Sequence, residues 1–99
     1  MPTDPNDDSQ PLPTDIGAQT QRVMDNLIIV LSGLHLGLEN VVSCRVYLTE
    51  FQRDYATMNT IYQEYFPGNR LPARTCVGVT ALARDALVEI DMVAKRTTN

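Results

Sequence analysis

The stretch that most constrains the fold lies between residues 71 and 94, where apolar and polar residues alternate in two runs, 74–81 and 88–94. Alternation with a period of two is typical of β-strands that have one buried face. Only a short segment separates the two runs, and short connections favour antiparallel neighbours. The sequence therefore predicts that these two strands form a β-hairpin.

The register of this hairpin predicts which side chains share a face, because directly opposed residues of neighbouring strands point the same way. Matching Val77 and Val79 with Val88 and Ile90 makes one face apolar. The polar members of both runs then share the other face, which is the best candidate for chemistry. The residues expected there are Arg74, Cys76, Glu89 and Asp91.

Two helices and a further strand are predicted upstream. Thr14 or Asp15 can cap a first helix, and Pro67-Gly68 should stop a second helix that spans residues 52–66. Between them, residues 42–48 alternate as a half-buried strand with Cys44 in the core. A helix separates this strand from the 74–81 strand, so we expect the two strands to be parallel, with a right-handed crossover. The predicted apolar positions of the first helix are Ile16, Thr20, Val23, Leu27, Val30, Leu31 and Leu34.

A chain of 99 residues is long enough for one core. We expect residues 1–13, rich in proline and acidic residues, to form a loop or flexible arm, and residues 14–99 to form a single domain. Both helices can cover one face of the sheet. The other face mixes apolar and charged residues, so a partner subunit is expected to cover part of it through symmetric self-assembly.

Charge and composition exclude several classes of function. The net charge is −4 and the eight Lys and Arg residues form no cluster. The sequence therefore predicts no positively charged surface that would bind nucleic acid or an anionic membrane. No apolar run is long enough to span a bilayer, and the amino terminus does not resemble a signal peptide. The two cysteines form neither a metal cluster nor a disulfide framework. We expect a cytoplasmic protein.

Several segments carry a family resemblance in their order and spacing. They are DIGAQT at 15–20, VYLT at 46–49, MN at 58–59, YFP at 65–67, LPARTCV at 71–77 and LVEID at 87–91. Together they resemble the RidA/YjgF family of reactive intermediate deaminases over nearly the whole chain. The resemblance implies an α+β, chorismate-mutase-like fold in which two helices pack on one face of a small mixed sheet. It also implies a homotrimer with ligand clefts between subunits and no metal or organic cofactor.

The resemblance further implies that enamine or imine forms of 2-oxo acids are hydrolysed to the oxo acid and ammonia. Carried over by position, Arg74 would bind the substrate carboxylate and Asn59 would shape the cleft. Cys76 would contribute mainly backbone groups near the imine carbon, and Glu89 would orient or activate water. Family members normally begin with a strand-turn-strand segment whose Tyr and Ser-Gly line the cleft. This sequence has no match to that segment, so we expect a fold truncated at its N-terminus and weakened activity.

Residue chemistry supports the same site but leaves alternatives. A guanidinium forms a two-point hydrogen-bonded pair with a carboxylate, and a nearby carboxylate can deprotonate attacking water. Alternatively, Arg74 and Glu89 could form an ion pair that only joins the hairpin. The Cys76 thiol has no neighbouring His or Lys in sequence to activate it. Two functions remain open: an imine deaminase, and a non-catalytic trimer that binds small carboxylates or a protein. A ribonuclease role finds no support in the acidic charge balance.

Overall fold

The computed structural model describes residues 15–96, and the arm predicted at residues 1–13 lies outside that range. The described part forms an α+β fold of two helices and three strands, with short 3₁₀ turns before β1, after α2 and before β3. In chain order, the elements are α1 (Ile16–Gly33), β1 (Val41–Leu48), α2 (Phe51–Glu64), β2 (Ala73–Gly78) and β3 (Val88–Ala94).

Helix α1 begins where the sequence predicted, because the Asp15 carboxylate accepts a hydrogen bond of 2.7 Å from the Ala18 N–H. Its predicted apolar face is only partly correct. Val30 and Leu34 are about half exposed, although Leu31 between them is buried and belongs to the core. Met24, which the predicted pattern omits, is fully buried instead.

The second helix and the first strand are confirmed within one or two residues. Helix α2 buries Met58 and Tyr62, and β1 buries Cys44 as the prediction required. Val46 and Leu48 of β1 are fully buried. This burial makes β1 the most apolar strand of the sheet, so it is the strand best suited to a central position.

The strand order is β2-β1-β3, with β1 parallel to β2 and antiparallel to β3. The predicted parallel pair is therefore confirmed, and the predicted hairpin is wrong. Strands β2 and β3 lie on opposite sides of β1, where each gains a buried partner. The segment between them passes the end of β1, since the Val79 N–H donates to the Leu48 carbonyl and the Thr49 N–H donates to the Leu87 carbonyl.

The observed register also overturns the predicted sharing of a face. Arg74 pairs with Cys44 and Cys76 with Val46, so both lie on the buried, helix-covered side of the sheet. Glu89 and Asp91 pair with Tyr47 and Arg45 on the open side. The register of each strand with β1, which lies between them, decides which residues of β2 and β3 face inward. A direct pairing of β2 with β3 does not decide it. The inward-facing residues of β2 and β3 are Arg74, Cys76, Gly78, Val88, Ile90 and Met92.

Both helices cover one face of the sheet, as predicted, and the described chain leaves the other face open. On the open face, Val77 and Val93 are exposed beside the ion pair of Arg45 and Asp91. Arg74 and Cys76, which were expected on this face, lie on the helix side. Within residues 15–96, no helix has both the length and the apolar character needed to cross a bilayer.

Candidate functional site

The candidate site is organised around Arg74, which lies on the edge strand β2 and points towards α2. Its Nη1 donates a hydrogen bond of 2.6 Å to the side-chain oxygen of Asn59, and its Nη2 donates one of 2.9 Å to the hydroxyl of Tyr55. Of the predicted site residues, the structure therefore brings Arg74 and Asn59 into direct contact.

Two aromatic rings fix the guanidinium further. The Arg74 Cζ lies 5.1 Å from the centre of the Tyr62 ring and 5.7 Å from that of Tyr55, which are distances at which a cation is attracted to a ring. Tyr55 is held in turn by stacking on Phe51, with 5.2 Å between the ring centres. The guanidinium is half-buried and its orientation is defined from two sides.

The charge of Arg74 has no compensating carboxylate within the described chain. Ion pairs among residues 15–96 join Arg45 to Asp91 and Arg53 to Asp54, and Arg74 takes part in neither. A guanidinium has five N–H donors, and the hydrogen bonds to Asn59 and Tyr55 use two of them. Arg74 is therefore a fixed cation with donors available for an anionic ligand.

Cys76 lies two residues along β2 from Arg74, on the same side of the sheet. Burial raises the pKa of its thiol, and the nearby charge of Arg74 only partly opposes this effect. Burial likewise raises the pKa of the Cys44 thiol, which lies beside the hydroxyl of Tyr62. Because the thiolate is the nucleophilic form of cysteine, both thiols are poor nucleophiles at neutral pH.

Glu89 is separated from Arg74 by the full thickness of the sheet, so the Arg74–Glu89 ion pair considered from the sequence is not formed within one chain. On the open face, Asp91 accepts a hydrogen bond of 3.0 Å from Nε of Arg45. A shallow pocket of about 520 Å³ lies there, lined mainly by open-face residues. Its lining residues are Ser43, Cys44, Arg45, Ala73, Arg74, Thr75, Asp91 and Val93.

The sequence interpretation missed the part that the tyrosines play at Arg74. In the sequence, Tyr55 and Tyr62 fall on the apolar side of α2, where tyrosines are more often packing residues than chemical groups. A signal was available, because positions 55, 59 and 62 follow the spacing of one helix face, and that spacing aligns both tyrosines with Asn59. What the sequence could not show is that β2 presents Arg74 to the same face.

Two helices on one face of a three-stranded mixed sheet, with an inward-facing arginine on the edge strand, define an α+β protein with the chorismate-mutase-like fold. The model of one family, described as Endoribonuclease L-PSP, matches residues 1–96. The chain belongs to this family, which is the RidA/YjgF family.

Named relatives agree with this assignment. A RutC family protein of Synechocystis is 44% identical over 79 residues, which are 80% of this chain and 60% of the relative. The 3-aminoacrylate deaminase RutC of Acinetobacter baylyi is 38% identical over 94 residues, covering 95% of this chain and 72% of that protein. The 2-iminobutanoate/2-iminopropanoate deaminase of Escherichia coli is 31% identical over 87 residues, covering 86% and 67%. This chain thus spans about three fifths of the Synechocystis relative.

Solved structures share the fold. The YjgF gene product of E. coli superposes with a TM-score of 0.87 at 28% identity, over 97% of this chain and 75% of that chain. E. coli TdcF with bound serine also gives a TM-score of 0.87, at 26% identity and with the same coverage of each chain.

Proposed function

We propose that this protein hydrolyses the imine or enamine forms of small 2-oxo acids, releasing the oxo acid and ammonia. The observation that carries the proposal is the half-buried Arg74 guanidinium, held by Asn59 and two tyrosines and lacking a carboxylate partner within residues 15–96. Such a group binds the carboxylate that these substrates share. Relatives at 31% and 38% identity that are named for imine or aminoacrylate deamination support the chemistry.

The reaction needs a water molecule and two proton transfers. The carboxylate of the substrate binds Arg74, and the water oxygen attacks the imine carbon while Glu89 accepts a proton from the water. The C=N bond becomes a single bond as the new C–O bond forms. Return of that proton to nitrogen gives a carbinolamine. The hydroxyl proton then moves to nitrogen while the C–N bond breaks and the C=O bond forms, so ammonia leaves and the 2-oxo acid remains. An enamine first takes up a proton at carbon to give the imine.

Within one chain, Glu89 and Arg74 lie on opposite faces of the sheet and cannot contact the same small substrate. We therefore assign the two roles to two subunits: Arg74 of one chain binds the carboxylate, and Glu89 comes from the open sheet face of a neighbouring chain. Cys76 contributes its main-chain groups, since its thiol is predominantly protonated at neutral pH. This arrangement makes assembly, as the homotrimer that the sequence suggested, a requirement for activity.

A second candidate function is carboxylate binding without catalysis. The separation of Glu89 from Arg74 within one chain favours this candidate. If assembly does not bring Glu89 of a neighbouring chain to Arg74, the protein keeps the carboxylate-binding site but has no base beside it. Ribonuclease activity, which the family description names, would require this chain of net charge −4 to bind a polyanion. Carboxylate binding without catalysis therefore stands ahead of ribonuclease activity.

The test generates 2-iminopropanoate in situ with an amino-acid oxidase and follows release of ammonia and pyruvate. We expect the wild type to exceed the uncatalysed rate. Arg74→Ala and Glu89→Gln should each lose most of that excess, while Glu64→Gln, a matched change on the exposed side of α2, should keep it. Carboxylate binding without rate enhancement would establish the second candidate. Cleavage of RNA under the same conditions, with no imine turnover, would contradict both.

A further inference from the structure

A second pocket shares no lining residue with the group of side chains that holds Arg74. It lies between the second half of α1, the turn before β1 and the turn after α2, and its volume is about 470 Å³. This volume is within the range of small-molecule sites. The lining residues are Ile28, Gly37, Leu38, Glu39, Tyr65, Phe66, Pro67 and Arg70.

The wall of this pocket is mostly apolar and is fixed by the core. Phe66 is 6% exposed, and its ring lies 5.1 Å from the Tyr62 ring, centre to centre. Ile28 and Leu38 are half-buried beside it. A rigid apolar wall of this kind complements an apolar side chain or a ring.

Two charges of opposite sign, Glu39 and Arg70, lie at the same pocket, and both residues are exposed. Within residues 15–96, neither side chain has an ion-pair partner within 4.0 Å. The Glu39 carboxylate folds back over Gly37, where an added Cβ would lie 2.5 Å from its Oε2. Gly37 therefore leaves the space in which this carboxylate lies against the pocket.

We propose that this pocket binds a free amino acid with an apolar side chain. Its ammonium group pairs with Glu39, its carboxylate pairs with Arg70, and its side chain packs on Leu38 and Phe66. An apolar surface beside one unpaired positive charge and one unpaired negative charge is complementary to a zwitterion that has an apolar side chain. A ligand with a single charge would leave the other side chain unpaired. The site is separate from the Arg74 site and does not depend on the deaminase proposal.

The experiment titrates L-phenylalanine into the isotope-labelled Arg74→Ala protein and follows the backbone amides by NMR, so that binding at Arg74 cannot contribute. We expect the shifts to concentrate at Gly37, Leu38 and Arg70. Phenylethylamine and phenylpropanoate each lack one charge and should bind about tenfold more weakly.

Two variants in the same background separate the charges. Glu39→Gln should weaken L-phenylalanine and phenylethylamine but leave phenylpropanoate unchanged, and Arg70→Gln should weaken L-phenylalanine and phenylpropanoate only. Glu64→Gln and Arg84→Gln, which remove the same charges from exposed positions outside the pocket, should bind all three as before. The proposal is overturned if L-phenylalanine produces no shifts at the pocket. The proposal is also overturned if the three ligands bind with equal affinity. A loss of affinity that is the same in the variants and in the controls would overturn it as well.

Discussion

At the residue scale, the candidate site depends on one arginine whose neighbours are neutral. Asn59 and Tyr55 accept hydrogen bonds from the Arg74 guanidinium, and the Tyr62 ring lies against it. Neutral partners orient a cation without cancelling its charge, whereas a carboxylate partner would compete with an anionic ligand. The geometry therefore favours binding of a carboxylate over a purely structural role for Arg74.

Replacement of Arg74 by lysine tests whether the planar fork of donors matters beyond the charge. We expect Arg74→Lys to weaken pyruvate binding by about 1–3 kcal/mol, because lysine keeps the charge but cannot form the two-point pair. Calorimetric titration measures the change. Arg53→Lys, in which the exposed arginine paired with Asp54 receives the same substitution, is the control. Equal affinity of wild type and Arg74→Lys would show that Arg74 is not the carboxylate-binding group.

The sequence led to the prediction of two of the side chains that meet at this scale, but not of the tyrosines that also contact Arg74. Arg74 and Asn59 were both predicted as site residues, and they are in contact. The contribution of Tyr55 could not be predicted with the same certainty, because an aromatic residue on the buried side of a helix is usually explained by packing alone. Which ring lies against which cation depends on the tertiary approach of α2 to β2, and local patterns do not encode that approach.

At the element scale, the helices, the strands and the parallel pair were predictable because each follows from local periodicity and connection length. The strand order was not predictable in this way, because the predicted pairing of β2 with β3 does not form. Two alternating runs joined by a short segment predict neighbours, but a third strand with a more apolar face can stand between them. The buried residues Cys44, Val46 and Leu48 make β1 that strand. The error in pairing placed Arg74 and Cys76 on the wrong face, because a change of partner and register reassigns every side chain of a strand, whereas Glu89 lies on the open face.

The buried side chain of Gln19 connects α1 to the start of β3. The Gln19 side-chain oxygen accepts a hydrogen bond of 2.8 Å from the Leu87 N–H, and Gln19 is 3% exposed. Gln19→Ala should lower the free energy of unfolding by about 1–3 kcal/mol, because the Leu87 N–H loses its acceptor. Gln21→Ala, at an exposed position of the same helix, should change it by less than about 0.5 kcal/mol. Denaturant unfolding measures both, and similar losses would contradict this assignment.

A pH-dependent contact joins the two helices. The Tyr65 hydroxyl donates a hydrogen bond of 2.9 Å to the Asp25 carboxylate, and burial together with this bond raises the pKa of Tyr65 above its ordinary value, to about 12. The folded state therefore retains the phenolic proton more strongly than the unfolded state. The resulting stabilisation is complete below pH 10 and is lost as the pH rises towards about 12.

The Tyr65→Phe variant should therefore be less stable than the wild type at pH 9, and the difference should shrink as the pH rises above about 10. Urea unfolding at a series of pH values measures the change in the free energy of unfolding. Tyr47→Phe, which removes a hydroxyl from the open face of the sheet, is the control. A wild-type advantage that stays constant or grows with pH would show that the Asp25 contact is not linked to this proton.

At the scale of the whole molecule, the described chain has a covered sheet face and an open one. The open face combines exposed Val77 and Val93 with the Arg45–Asp91 ion pair and Glu89. Such a mixed surface is typical of an interface with another subunit rather than of a fully solvated face. If a second chain covers it, Glu89 becomes part of an intermolecular cleft. The open sheet face of one chain and the inward-facing Arg74 of its neighbour then contribute to one site.

This intermolecular site predicts complementation between two inactive variants. Arg74→Ala retains Glu89, and Glu89→Gln retains Arg74, so a mixed ring contains some clefts with both native groups. For random equal mixing around a closed ring with head-to-tail interfaces, about a quarter of the clefts are complete, so roughly a quarter of wild-type deaminase activity should return. The two proteins are co-refolded, and ammonia release is compared with each variant refolded alone and with a mixture containing the double variant. A site formed within one chain would give no recovery in any mixture, and that result would contradict the assignment of Arg74 and Glu89 to neighbouring subunits.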